Sequence, residues 1–141
     1  MTDKNAKIVS ETAPEPVGAY PHARRIDNML YLSGVGPRVK GSKEIPGVTL
    51  DSKGNISNYD VIIQTKSVIA NVKTILESCG SSLENIVDIQ VFLTDMKNDF
   101  QKFNQVYNET FASIGATRTT IEVGALPTPI AVEFKVIATV D

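Results

Sequence analysis

The run VIIQTKSVIANVKTILESCGSSLENIVDIQVFLTDMKNDFQKFNQVYNETF, residues 61–111, carries two stretches of helical period with an alternating stretch between them. In the first, Val61, Thr65, Val68, Val72, Ile75 and Cys79 recur at alternating spacings of four and three, and Ile62, Ile69 and Leu76 widen the stripe. That period is the mark of an amphipathic helix. Asn58 stands before it as a cap candidate, and Gly80 stops it through the left-handed conformation that glycine tolerates. The second helical stripe uses Met96, Phe100, Phe103, Tyr107 and Thr110-Phe111, with Asp95 as cap candidate and Gly115 as stop. Between them Ile86–Leu93 alternates, with Val87, Ile89, Val91 and Leu93 on one face and Asp88 and Gln90 on the other, as a half-buried strand requires.

Outward from this run, the chain turns to strands on both sides. Residues 118–126 set Thr119, Ile121 and Val123 against Thr120 and Glu122 before Pro127 and Pro129 break the pattern. Ile130, Val132, Phe134, Val136 and Ala138 then alternate with Ala131, Glu133, Lys135, Ile137 and Thr139. Upstream, His22 to Ser33 flanks Asp27-Asn28, a dipeptide suited to a hairpin turn. Gly34 to Gly54 is rich in Gly, Pro, Lys and Ser, and an irregular stretch of that length in a small domain is functional or mobile. Residues 1–16 read as a loosely held N-terminal arm, and residues 17–141 as a single domain. The order β-β-α-β-α-β-β gives an α+β fold with a mostly antiparallel sheet and two helices on one face. Two helices cover only one face of such a sheet. Ile137 and Met29-Leu30-Tyr31-Leu32 then predict that a second subunit covers the other, in a closed symmetric assembly.

Composition narrows the function. Fourteen Lys and Arg face sixteen Asp and Glu among 141 residues, a net charge of -2, so no strong positive field exists to hold nucleic acid. No apolar run approaches the ~20 residues that span a bilayer. The N-terminus MTDKNAKIVSETAPEP has no apolar core of a secretory signal. A single cysteine and a single histidine predict no disulfide and no structural metal site. The expectation is a soluble cytoplasmic protein.

No phosphate loop, zinc-binding or serine-nucleophile motif occurs. Cys79, at the end of the buried stripe, reads as a small hydrophobe, and His22 as a polar surface or rim residue. Arginine placement says more. Arg24, Arg25, Arg38, Lys40 and Lys43 lie between residues 22 and 43 with one acid, Asp27, an excess that attracts an anion or merely solvates a loop. Arg118 opens a strand, where a guanidinium can point into a cleft and grip a carboxylate with two bonds; an ion pair with Glu122 or Glu133 is the simpler reading. Glu133 sits mid-strand among apolar neighbours, where burial would raise its pKa and suit it to acid/base work; the alternative is a Glu133–Lys135 pattern facing solvent.

The stretches VGAYPHA, LYLSGVG, residues 64–111 and ATRTTIEVGALPTPIAVEFKVIA resemble the RidA/YjgF family over almost the whole chain after residue 16. The R-x-x-x-E-V-x-x-L-P run, the D-F-x-x-x-N-x-V-Y helix and the S-G strand end carry the likeness. The resemblance implies a chorismate-mutase-like α+β unit, a homo-oligomer (a trimer or a dimer of trimers) with active sites between subunits, and cofactor-free hydrolysis of enamines and imines. By motif, Arg118 falls on the arginine that clamps the substrate carboxylate and Glu133 on the acid proposed to activate water. Tyr20, Ser33, Asn104 and the Thr119-Thr120 backbone fall on cleft-lining positions. Thr120 stands where many relatives have cysteine, and Tyr20 precedes Pro21-His22 rather than Ser-Gln. The long basic loop resembles the 2-aminomuconate deaminase branch, whose dicarboxylate substrate needs two cationic grips. Arg38, with Arg24 or Arg25 as alternatives, is inferred as the distal one. Rival readings are a general 2-imino acid or 2-aminoacrylate deaminase and a non-catalytic ligand-binding or regulatory member. Ribonuclease activity fits the net charge poorly.

Overall fold

The computed structural model describes residues 3–141. In chain order the elements are strands β1 (Asn5–Ile8), β2 (Ala23–Ile26), β3 (Met29–Leu32), β4 (Val48–Leu50) and β5 (Ile56–Tyr59), then helix α1 (Val61–Ser78). They continue with strand β6 (Ile86–Leu93), helix α2 (Met96–Phe111), and strands β7 (Thr117–Glu122) and β8 (Val132–Thr139). Six strands form one sheet in the order β1-β2-β3-β8-β6-β7, antiparallel except for the parallel β6–β7 pair, and β4–β5 form a separate hairpin. The α+β architecture is the expected one.

The stripe residues Val68, Val72, Leu76 and Phe103 are fully buried against Leu30, Ile89, Val91, Phe134 and Val136 of the sheet. Gln64, also in the α1 stripe and fully buried, accepts the Ala131 N–H at 2.8 Å and pins the start of β8. Asp27 takes φ +50 at the β2–β3 turn, where the Asp27-Asn28 hairpin was expected.

Four local expectations need correction. Residues 5–8 of the N-terminal arm are not loose: they pair with β2 and form one edge of the sheet. The α1 cap is Asp60 rather than Asn58; its carboxylate accepts from Ile62 and Ile63 N–H, while Asn58 lies inside β5. Gly80 does take the left-handed φ of +79 after α1, but α2 ends at Phe111, and Gly115 (φ +76) closes the turn beyond it. Val87 does not share a face with Ile89. The β6–β8 register shifts between Ile86 and Asp88, so Ile86 enters the core and Val87 is exposed. A bulge inserts one residue and inverts the alternation on one side of itself, which a period-two reading misses.

Both helices lie on one face of the sheet. The other presents Tyr31, Ile26 and Ile121, 40, 39 and 44% exposed, beside half-buried Phe92 and Ile137. No helix among the described residues is long and apolar enough to cross a membrane.

Candidate functional site

Two clusters hold the expected site residues. The first lies where the chain leaves β3. Ser33 N–H donates to His22 O at 3.0 Å and its hydroxyl to Pro21 O at 2.7 Å. Val35 and Phe134 then exchange backbone bonds at 2.8 and 3.0 Å, which carries the chain alongside β8 with Gly34 against Glu133. A Cβ on Gly34 would stand 2.7 Å from Glu133 Oε2, so residue 34 is glycine to leave room for that carboxyl group. Asn71 on α1 donates both amide hydrogens, to Gly36 O and Arg38 O at 2.9 and 2.8 Å, and fastens the loop from behind.

The product is an open cleft of about 440 Å³ with Tyr20, Gly34, Arg38, Thr128 and Glu133 in its walls. Ser33, with His22 and Asn71, lines the adjoining hollow that shares Tyr20, Gly34 and Arg38 with it. Burial pushes the Glu133 carboxyl above the usual carboxylate range, and the nearby Arg38 charge partly offsets this. Lys135 gives Glu133 no ion pair; its ammonium donates to Leu32 O, and burial lowers its pKa. Arg38 donates to Glu15 O at 2.6 Å, and Lys40 pairs with the Glu15 carboxylate, so this part of the N-terminal segment is tied to the cleft wall.

Of the three basic candidates for a distal grip, Arg38 alone lines the cleft. Arg24 is exposed and bonds Asn5, and Arg25 is buried with its guanidinium on Asp27 O and Asp141 O. His22 is no rim residue. It is 5% exposed; Nδ1 accepts from Ser10 N–H at 2.9 Å, and Nε2, which must then carry the hydrogen, donates to Pro14 O at 2.7 Å. Cys79 is the inert small residue expected, its thiol pushed up to about 11 by burial.

The second cluster surrounds Arg118 on β7, an edge strand paired on one side only. The register Ile89↔Arg118 and Val91↔Thr120 sets Arg118 and Thr120 on the helix-covered face. Asn104 of α2 accepts from Arg118 Nη1 at 2.8 Å, and the guanidinium lies 4.6, 5.5 and 5.7 Å from the ring centres of Tyr107, Phe103 and Phe100. Neither expected acid partner is there. The Glu122 carboxylate accepts Met96 N–H at 2.9 Å, and Glu133 is on the other face. Among the described residues Arg118 has no carboxylate within ion-pair distance. The Tyr107 and Thr120 hydroxyls beside it are buried without a hydrogen-bond partner among the described residues. Thr119 is exposed on the opposite face, so only its backbone belongs to this edge.

Arg118 and Glu133 are therefore not neighbours within one chain: the pairs Phe92↔Glu133 and Ile89↔Arg118 turn them to opposite faces of the sheet. The first cluster sets a carboxyl group of raised pKa beside an arginine, and the second holds a guanidinium that no carboxylate of the described residues neutralises. Sequence reasoning missed Gly34 as the space-maker, Asn71 as the loop anchor and the aromatic rings as the seat of Arg118. The positions 100, 103, 104 and 107 fall one turn apart on α2 and carried that last pattern in plain sight.

Comparison with known proteins agrees with this fold. The family model described as endoribonuclease L-PSP matches residues 10–140. A RutC family protein of Pyrococcus abyssi is 38% identical over 132 residues, 93% of this chain and 94% of its own. A 2-iminobutanoate/2-iminopropanoate deaminase of Dermatophagoides farinae is 28% identical over 135 residues, 95% of each. The crystal structure of the YjgF gene product of E. coli superimposes with a TM-score of 0.79 at 31% identity, covering 95% of this chain and 98% of the other. With the family model spanning nearly its whole length, the chain belongs to the RidA/YjgF family.

Proposed function

We propose that this chain is a cofactor-independent hydrolytic deaminase of an anionic enamine or imine, working in the cytoplasm on a small carboxylate substrate rather than on nucleic acid. The observation that carries the reading is an arginine, Arg118, held in place by an amide and three rings while its charge meets no carboxylate among the described residues. A half-buried guanidinium left in that state favours an anionic ligand, which it can take with two parallel bonds. The edge of β7 would bring Arg118, Asn104 and Thr120 of one protomer against Tyr20, Ser33, Arg38 and Glu133 of the next, in a homotrimer that also covers the open apolar face. Opposite orientations of Arg118 and Glu133 in one chain, and the exposed Tyr31 and Ile121, support that assembly.

In the reaction, a proton goes to the enamine carbon and gives the iminium ion. Water adds to the iminium carbon and loses a proton, and the carbinolamine passes a proton to its nitrogen and expels ammonia to leave the enol or keto acid. Glu133, raised in pKa by burial, orients the water and moves the protons; Arg118 fixes the substrate and balances charge. For substrate we infer 2-aminomuconate, converted to 2-hydroxymuconate and ammonia in the breakdown of aromatic compounds. Arg38 beside Glu133 in the cleft is the support, since it would meet the second carboxylate. A second reading, a general 2-imino acid deaminase, draws on the Dermatophagoides farinae relative.

The test is ammonia release from freshly generated 2-aminomuconate and from 2-iminobutanoate made in situ. Turnover of either with loss in Arg118→Ala supports the deaminase, and preference for the first supports the dicarboxylate substrate. If Arg38→Ala slows 2-aminomuconate and spares 2-iminobutanoate, Arg38 is the distal grip; equal losses on both exclude that role. No ammonia from either substrate at any pH overturns the enzymatic reading.

A further inference from the structure

We propose that α2 acts as the positioning element for Arg118, its Phe100, Phe103 and Tyr107 rings forming a seat that fixes the guanidinium before any ligand arrives. The inference rests on the reading of Arg118 as the carboxylate grip. The three rings project from successive turns of one helix, and Asn104, on the same face, takes one Nη1 hydrogen at 2.8 Å. Tyr107 is nearest at 4.6 Å, and its ring in turn rests on Phe111 at 4.6 Å and Phe103 at 5.7 Å, so the seat is backed by the core.

A cation over aromatic faces is attracted without being neutralised. That distinction separates this seat from an ion pair. A carboxylate partner would hold the arginine equally still but would use up the charge and the forked donors that a ligand carboxylate needs. Rings and one amide oxygen hold the group and leave four of its five N–H donors without a bond to another described residue. Arginine carries a large side-chain entropy, and ordering it in advance removes that cost from binding. Phe100, Phe103 and Tyr107 are thus positioning residues rather than catalytic ones.

The first measurement needs no variant. In the NMR spectrum of the wild-type protein, the Arg118 side-chain protons, assigned by their loss in Arg118→Lys, are expected well upfield of the other arginines through the ring currents. An unshifted set overturns the seat. The second measurement is binding of 2-oxobutanoate by calorimetry, with KM and kcat for ammonia release. Phe100→Leu, at the solvent side of the seat, should weaken affinity and raise KM about two- to fivefold with kcat nearly unchanged, the scale of one cation–π contact. Tyr107→Leu should do the same more strongly and shrink the upfield shift, and Tyr107→Phe should restore both toward wild type. If Tyr107→Leu unfolds, Phe100→Leu and the wild-type spectrum still decide. Wild-type affinity in Phe100→Leu, or equal damage from Tyr107→Phe and Tyr107→Leu, overturns the inference. Unchanged 2-oxobutanoate binding in Arg118→Ala would instead overturn the reading of the grip itself.

Discussion

Arg118 and Glu133 make opposite demands on their surroundings, and each finds them. The arginine keeps its charge available because its neighbours are rings and an amide; the glutamate has its proton affinity raised because burial strips its carboxyl of water, which the Arg38 charge only partly offsets. Replacing Arg118 by Ala or Lys should lower kcat/KM about 10- to 100-fold, the scale of lost charge-assisted bonds, with Lys rescuing little because it has no planar fork. Gly34→Ala should lower kcat about tenfold or more by pushing the Glu133 carboxyl aside. Its Tm should barely move, because the atoms met belong to the end of a side chain and the φ of Gly34 is not left-handed. Glu133 also has a signature in pH. Its folded pKa lies above the unfolded one, so between the two the folded state binds more protons and stability falls as pH rises through that window. Glu133→Gln should therefore raise Tm at neutral pH and lose that advantage below the ordinary glutamate pKa. It should lower kcat more than it changes KM, and the wild-type acid limb of kcat should lie above the usual carboxylate range.

At the scale of elements, the caps and bulges decide what the periodic pattern leaves open. Asp60→Ala should cost about 1 kcal/mol, read as a Tm drop of about 3–5 °C, whereas Asn58→Ala should have little effect. Both helices, the β2–β3 hairpin and β8 were legible because their apolar residues recur at the period of the element, as Val68-Val72-Ile75 and Val132-Phe134-Val136 do. Asn5–Ile8 was not: its alternation of exposed Asn5 and Lys7 with half-buried Ala6 and Ile8 is too short, and too poor in large apolar side chains, to stand out in a polar segment. Val87 was misassigned because a bulge leaves no compositional trace. The Arg118 and Glu133 positions were found through motif likeness, but the faces they occupy follow from register, which only the pairing of Ile89 with Arg118 and Phe92 with Glu133 reveals.

For the whole molecule, the sheet is covered on one side and open on the other, with Arg118 and Glu133 on different faces. A site shared by adjoining protomers predicts complementation: mixing unfolded Arg118→Ala and Glu133→Gln chains and refolding them together should restore about a quarter of wild-type activity, since random assembly joins two intact halves at that frequency. No recovery, with mixed assembly shown by mass spectrometry, would mean that both residues act within one chain or not together. Ile137→Arg, in the open face, should reduce the mass seen by light scattering to that of a monomer and abolish activity without unfolding the chain. The Arg118 seat lies wholly within one contiguous passage, from α2 to β7, whereas the acid half gathers Tyr20, Gly34, Arg38 and Glu133 from both ends of the chain. With the roles proposed for Arg118 and Glu133, ligand grip and proton chemistry can consequently drift apart under selection, and an exchange of residues 96–120 between homologues would transplant the one while leaving the other behind.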